Sequence, residues 1–154
     1  MNKRTLLGSA AALAAIAALP SLAGMSSKEV HVFKSSSCGC CGDWVSHLRS
    51  AGFAVKVTDV GDTTAARKRL GMPQQYGSCH TATVDGYLLE GHVPATEVKR
   101  LLACGVKAIG LAVPSMPIGS PGMKMGGRID PYQVLLIDHS HGATVYASYP
   151  KSEK

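Results

Sequence analysis

Val30-His31-Val32-Phe33-Lys34-Ser35-Ser36-Ser37-Cys38-Gly39-Cys40-Cys41-Gly42-Asp43-Trp44-Val45-Ser46-His47-Leu48 is the stretch on which the fold turns. Val30 to Phe33 combines β-branched and aromatic residues and stops at three serines, the pattern of a short strand. Trp44, Val45 and Leu48 then recur at helical spacing, and Asp43 suits a first helical turn. Between strand and helix, Cys38 to Gly42 reads as a tight loop. A strand therefore feeds a helix through a turn that carries three cysteines in four residues.

The following segments repeat the alternation. Ala54 to Val60 alternates Val55 and Val57 with polar residues, as a strand does. Thr63 to Leu70 reads as a helix, with Asp62 as cap and Gly71-Met72-Pro73 as stop. Thr81 to Val84 and Tyr87 to Leu89 flank Asp85-Gly86, the signature of a two-residue hairpin. Pro94 to Leu102 gives a third helix, with Pro94 in its first turn. Residues 110–127 form a loop by composition, rich in Gly and Pro with three methionines. Gln133 to Asp138 and Ala143 to Tyr146 read as a final strand pair around His139-Ser140-His141-Gly142. The order strand, helix, strand, helix, hairpin, helix predicts an α/β domain with parallel and antiparallel pairing. That is the order of a thioredoxin-like single domain, here with a C-terminal Gly/Pro/Met-rich loop and an extra strand pair.

Before the strand, Lys3 and Arg4 lead an uncharged run from Thr5 to Leu19. Pro20 breaks the run, and Ser21-Leu22-Ala23 supplies small residues at a cleavage site. This order predicts a signal peptide over residues 1–23 and a mature domain over 24–154. The run is shorter than the roughly 20 residues that span a bilayer. The expectation is a periplasmic protein with no membrane attachment after cleavage. The mature part holds 14 basic and 10 acidic residues, a net charge of +4. No basic block with interleaved aromatics occurs, so nucleic acid is not an expected partner.

Five cysteines, Cys38, Cys40, Cys41, Cys79 and Cys104, leave at least one unpaired in an oxidising compartment. Adjacent cysteines such as Cys40 and Cys41 are poor disulfide partners. A reactive or metal-binding cluster explains the crowding better than a structural disulfide framework. Sulfurs at a helix N-terminus are expected to ionise readily, and thiolates suit monovalent copper, zinc or iron–sulfur clusters. Cys38 and Cys41 also have the C-x-x-C spacing of a thiol–disulfide oxidoreductase, which is the alternative reading. A zinc-binding interaction module is a third.

In a thioredoxin-like fold, the loop before the third strand lies against the Cys-bearing turn. Ser78-Cys79-His80-Thr81 occupies that place, so Cys79 and His80 join the candidate ligands. Met116 and Met123 sit in the Gly/Pro loop, where core packing explains them less well. Thioethers favour Cu(I) over zinc, so both are candidates; Met125 is a weaker one. His92, His139 and His141 read as surface or turn residues, and His31 and His47 as fold or solvent residues. Cys104 reads as a partly buried free thiol.

The chain resembles one family through Val32-Phe33-Lys34 with Cys38-Gly39-Cys40-Cys41-Gly42, Ser78-Cys79-His80-Thr81, Glu90-Gly91-His92-Val93-Pro94, and Gly110-Leu111-Ala112-Val113-Pro114. Met116-Pro117 and Gly119-Ser120-Pro121-Gly122-Met123 complete the match. This is the family of periplasmic metal-binding proteins with a C-x-C-C motif that includes the CopG-type copper-resistance protein. The resemblance spans residues 29–147. It implies a thioredoxin-like core, a copper site on Cys38, Cys40, Cys41 and Cys79 with His80, Met116 and Met123 nearby, and a role in copper resistance or homeostasis. Cu(I) is the expected ion, with several per chain. Copper redox activity is compatible with this reading, but a metal-binding protein fits better than an enzyme. The implied partners are copper ions and other periplasmic copper-handling proteins. Two positions depart from the family pattern. Ser115 replaces an expected Gly, and Lys124 places a positive charge where an acidic residue is expected, close to the proposed cation site.

The boundary at Ala23 has a direct consequence. Protein recovered from the periplasm should begin at Gly24 by intact mass; a mass that retains residues 1–23 overturns this reading.

Overall fold

In the first strand every second residue turns inward: Val30 and Val32 are fully buried while Glu29 is exposed. This period of two sets the face the strand presents to the core. The computed structural model describes residues 28–151, so the signal-peptide boundary lies outside the described residues. In chain order the elements are β1 (Glu29–Lys34), α1 (Gly39–Ser50), β2 (Ala54–Asp59), α2 (Thr63–Leu70), a 3₁₀ turn (Gln74–Tyr76), β3 (His80–Val84), β4 (Tyr87–Glu90), α3 (Ala95–Cys104), β5 (Gly110–Ala112), β6 (Tyr132–Ile137) and β7 (Ala143–Tyr149).

The seven strands form one sheet in the order β2-β1-β3-β4-β5-β6-β7. β1 runs parallel to β2 and β4 parallel to β5; the other neighbours are antiparallel. The fold is mixed α/β, as the alternation of elements predicts. Asp85 and Gly86 both have positive φ, which the tight β3–β4 hairpin requires. Asp62 caps α2 by accepting from the amides of Thr64 and Ala65, and Gly71 closes it in the left-handed region. No helix among the described residues is long and apolar enough to cross a membrane.

Alternate residues of the central strands serve two clusters. Leu89 and Leu111 join Trp44, Val45 and Leu48 of α1 and Val98 and Leu101 of α3 in the main core. Leu88 and Ala112 join Met72, Tyr76 and Ile137 in a smaller one. The sheet therefore has a covered face on each side, and α1 and α3 share the larger.

Two elements differ from the sequence reading. α1 begins at Gly39, not Asp43, with Cys38 as its N-cap, so Cys40 and Cys41 lie in its first turn rather than in a loop. Glycine disfavours helix by about 1 kcal/mol, but burial of Cys41, Trp44, Val45 and Leu48 along one face outweighs that preference. Residues 110–112, read as the start of a loop, form a fully buried strand. Gly110 is there because β4 passes too close for a side chain: a Cβ would collide with the carbonyl of Leu88.

Gly110→Ala should therefore lower stability by roughly 1–3 kcal/mol, the cost of forcing atoms into a packed core. Gly39→Ala, with open space at its Cβ and helical backbone, should instead raise stability, by about 0.4–1 kcal/mol. Urea unfolding midpoints compare the two; equal effects would show that the β4–β5 approach is not the constraint.

Candidate metal centre

The pairing of β1 with β3 sets Lys34 opposite His80. The turn that leaves β1 thus meets the segment that enters β3. Cys38, Cys40 and Cys41 come from the first; Cys79 and His80 come from the second. Single ligand atoms of Cys38, Cys40, Cys41 and Cys79 all lie within 4.8 Å of one another. Cys40 Sγ is 3.4 Å from Cys38 Sγ, and Cys79 Sγ is 3.4 Å from Cys41 Sγ. Cys38 and Cys41 are joined by a disulfide, while Cys40, Cys79 and Cys104 are free. Two sulfurs of the predicted thiolate set are therefore oxidised in this state, through the C-x-x-C pair.

A second group overlaps the first. Ligand atoms of Cys79, His80 and His92 also lie within 4.8 Å of one another. Cys79 Sγ is 3.3 Å from His80 Nδ1 and 3.1 Å from His92 Nε2. His92 Nδ1 donates to the carbonyl of Pro121 at 2.8 Å. That bond places the proton on Nδ1 of the neutral ring and turns the Nε2 lone pair toward the sulfur, the arrangement that orients metal-ligating histidines. His80 is fully buried between Trp44 and His92, with ring centroids 4.3 Å and 5.0 Å away. Its buried Nε2 has no hydrogen-bond partner among the described residues.

Burial decides the charge of this group. It drives the His80 pKa down to about 3, with the neighbouring His92 second in effect. His92 is lowered by burial too, against the opposing effect of the Pro121 carbonyl. Both rings are then neutral near pH 7 and keep lone pairs for a cation. Burial, followed by the nearby Cys40, pushes the Cys79 thiol up to about 12. Easy ionisation, expected for sulfurs at the helix N-terminus, is not a property of Cys79, which lies on the opposite segment. A bound cation would supply the charge that stabilises its thiolate.

The segment bearing Cys79 is held by a buried ion pair. Glu90 Oε1 accepts from Arg67 Nε at 2.8 Å and from the Ser78 amide at 2.7 Å, while Arg67 Nη2 donates to the Ser78 carbonyl. Gly91 follows Glu90 with positive φ; a Cβ there would lie 2.5 Å from the Val113 carbonyl and 2.6 Å from Ser78 Cβ. This close packing brings His92 over Cys79. Trp44 Nε1 fixes the next residue by donating to the Val93 carbonyl at 2.8 Å.

The Gly/Pro/Met loop closes the other side. Ser115 N donates to the Gly77 carbonyl at 3.1 Å and its own carbonyl accepts from Ser78 Oγ. Met116, which is 48% exposed, leaves from that anchor. Gly122 packs on the start of α1: a Cβ would lie 2.7 Å from the Cys40 carbonyl and 2.8 Å from the Trp44 amide nitrogen. Met123 follows and is half-buried. Both candidate methionines thus branch from backbone tied to cysteine-bearing segments. Ser115 itself adopts φ of 63°, the left-handed region that favours the expected Gly. Lys124 lines a cavity with Asp43, Ser46 and His47 on the flank of α1.

Other residues are placed elsewhere. His92, read as a surface or turn residue, is fully buried at the site. The signal available for it was its position between Gly91 and Val93-Pro94, directly after a buried strand. Arg67, Glu90 and the Pro121 carbonyl were not legible as site components, because their roles arise only on folding. His139 and His141 are exposed in the β6–β7 turn, outside both ligand groups. Met125 is 60% exposed. Cys104, read as partly buried, is exposed at the end of α3. His47 Nε2 accepts from the Ala95 amide at the start of α3, and His31 Nε2 meets Thr58 Oγ1, so both serve the fold.

A family model described as "Protein of unknown function, DUF411" matches residues 76–123. Two solved structures, both named copper resistance protein CopG, resemble the chain. Form 2 is 45% identical with a TM-score of 0.76, and form 1 is 46% identical with a TM-score of 0.75. Each alignment covers 80% of this chain and 98% of the other. No curated protein matches.

The depressed His80 pKa fixes a pH dependence for the metal-free protein. Between about 3 and 6.5 the unfolded chain binds a proton at His80 that the folded chain does not. This contribution is thus fully present above 6.5 and is lost as pH falls toward 3, with a slope of up to ~1.4 kcal/mol per pH unit. His80→Gln should flatten the slope of unfolding free energy against pH in that window. An unchanged slope refutes the assignment.

Proposed function

The chain belongs to the family of the copper resistance protein CopG, and from that premise we propose that it binds copper in copper resistance or homeostasis. The observation that carries this reading is the convergence of four cysteine sulfurs from two segments within 4.8 Å. The proposed ion is Cu(I), because thiolate and thioether donors are soft and Cu(I) prefers them. The proposed ligands are Cys38, Cys40, Cys41 and Cys79 in the reduced state, with His80 and with Met116 and Met123 at the rim. His92 joins the proposed ligands, a reading supported by its Nε2 at 3.1 Å from Cys79 Sγ. Four thiolates can bridge, so the proposal extends to more than one ion per chain. It includes export through a signal peptide cut after Ala23, a periplasmic location, and exchange of copper with other periplasmic proteins. The thioredoxin-like character of the core belongs to the same proposal and is supported by the β2-β1-β3-β4 strand order.

The Cys38–Cys41 disulfide favours a second reading, a thiol–disulfide oxidoreductase. One substitution separates the two. Cys40 lies outside that disulfide, yet it is one of the four clustered sulfurs. Cys40→Ser should reduce both copper stoichiometry and Cu(I) affinity, the latter by more than about tenfold, or 1.4 kcal/mol. It should leave insulin reduction intact. Cys104→Ser should leave copper binding unchanged, and His92→Ala should weaken it. Chelator competition with Cu(I) measures all three; unchanged copper binding in Cys40→Ser with altered reductase activity would make the oxidoreductase the better reading.

A further inference from the structure

The disulfide has a thiol against each of its sulfurs. Cys40 Sγ lies 3.4 Å from Cys38, and Cys79 Sγ lies 3.4 Å from Cys41. The four sulfurs form a chain, Cys40 to Cys38 to Cys41 to Cys79, with the oxidised pair in the middle. Access differs along it. Cys41 is fully buried, whereas Cys38 is partly exposed. A dissolved thiol can therefore approach the Cys38 end, but Cys41 is covered by the protein and meets Cys79 from within.

We propose that Cys79 is the internal exchange partner of this disulfide, so that the disulfide moves between Cys38–Cys41 and Cys41–Cys79. The proposal rests on the sulfur geometry and not on copper binding. The step balances without an outside oxidant or reductant. Cys79 Sγ attacks Cys41 Sγ, and a Cys41–Cys79 bond forms. The Cys38–Cys41 bond breaks, and its electron pair leaves on Cys38 Sγ. The proton of Cys79 ends on Cys38, and His92 Nε2, 3.1 Å from Cys79 Sγ, is placed to receive it in passage. Cys79 is oxidised and Cys38 reduced by the same amount. Such exchange proceeds through attack of a thiolate on a disulfide sulfur, so the Cys79 proton passes to His92 Nε2 as the attack begins and reaches Cys38 as that sulfur leaves; contact between groups already held together replaces a bimolecular encounter.

The exchange would change what the oxidised protein offers to its surroundings. With the bond at Cys38–Cys41, the free thiols of the cluster are Cys40 and the Cys79 that faces His80 and His92. With the bond at Cys41–Cys79, the free thiols of the cluster are Cys38 and Cys40, neighbours at the partly exposed start of α1. The position of one disulfide thus selects between an inner sulfur–imidazole group and an outer pair of thiols.

Trypsin makes the two forms distinguishable. Cleavage at Lys34, Arg49, Arg69 and Lys99 puts Cys38, Cys40 and Cys41 in peptide 35–49 and Cys79 in peptide 70–99. Of the two bonds, only Cys41–Cys79 joins these peptides. The reduced, metal-chelated mature protein is treated with one equivalent of diamide, incubated, quenched with acid and N-ethylmaleimide, digested and analysed by tandem mass spectrometry. We expect the 35–49/70–99 cross-link through Cys41, with Cys38 alkylated, in at least about a tenth of the oxidised molecules, an equilibrium within tenfold of even. The same cross-link should persist in Cys40→Ser and vanish in Cys41→Ser. The wild-type measurement stands by itself should a variant not fold. A bond confined to peptide 35–49 in the wild type overturns the proposal, as does a cross-link carried by Cys38 or Cys40.

Discussion

The site depends on one act of strand pairing. β1 lies beside β3 in antiparallel register, with Lys34 opposite His80. The β1 chain leaves the sheet where the β3 chain enters it, and each brings its sulfurs to that junction. A register shift of one residue would reverse the faces of β3, sending buried Ala82 and Val84 outward and spoiling the main core. The hydrophobic pattern of two short strands therefore holds Cys79 within 3.4 Å of Cys41, although 38 positions separate them.

Strand pairing alone would leave the segment before β3 free to move. The Arg67–Glu90 pair removes that freedom, with side-chain exposures of 6% and 0%. A buried pair need not add net stability, because taking both charges out of water offsets much of their attraction. Breaking it is different: losing one partner leaves an uncompensated buried charge and costs about 3–5 kcal/mol. Its contribution here is positional. Glu90 and Arg67 together engage both the amide and the carbonyl of Ser78, one residue before Cys79. Sulfurs proposed to meet one cation need fixed backbone, and this pair supplies it.

The sequence revealed the parts of this design that are local. Asp62 and Gly71 bounded α2, Asp85-Gly86 closed the hairpin, and the spacing of Trp44, Val45 and Leu48 gave α1 its buried face. The cysteine crowding at residues 38–41 and the Cys79-His80 pair were likewise visible, and the order of elements brought them together. What stayed hidden depends on contacts distant in sequence. Gly110 looked like a loop residue because its reason is the Leu88 carbonyl of another strand. Gly39 and Gly42 suggested a turn, yet core burial extends the helix through both. His92 looked like a turn residue because its partners, Cys79 and the Pro121 carbonyl, lie 13 and 29 positions away.

The mixture of donors has its own logic. The imidazoles are buried and kept neutral, so they retain lone pairs without adding positive charge beside an incoming cation. The Cys79 thiol is held protonated by the same burial. A cation that displaces its proton regains in metal–sulfur bonding what desolvation withheld from the free thiolate. Affinity and folding are thereby coupled through one buried sulfur. The disulfide acts at right angles to this coupling: it withdraws Cys38 and Cys41 from the proposed donor set but leaves Cys79 facing both imidazoles. Oxidation thus lowers the sulfur count while leaving the nitrogen count unchanged, and the balance of soft and borderline donors follows the redox state of a single bond.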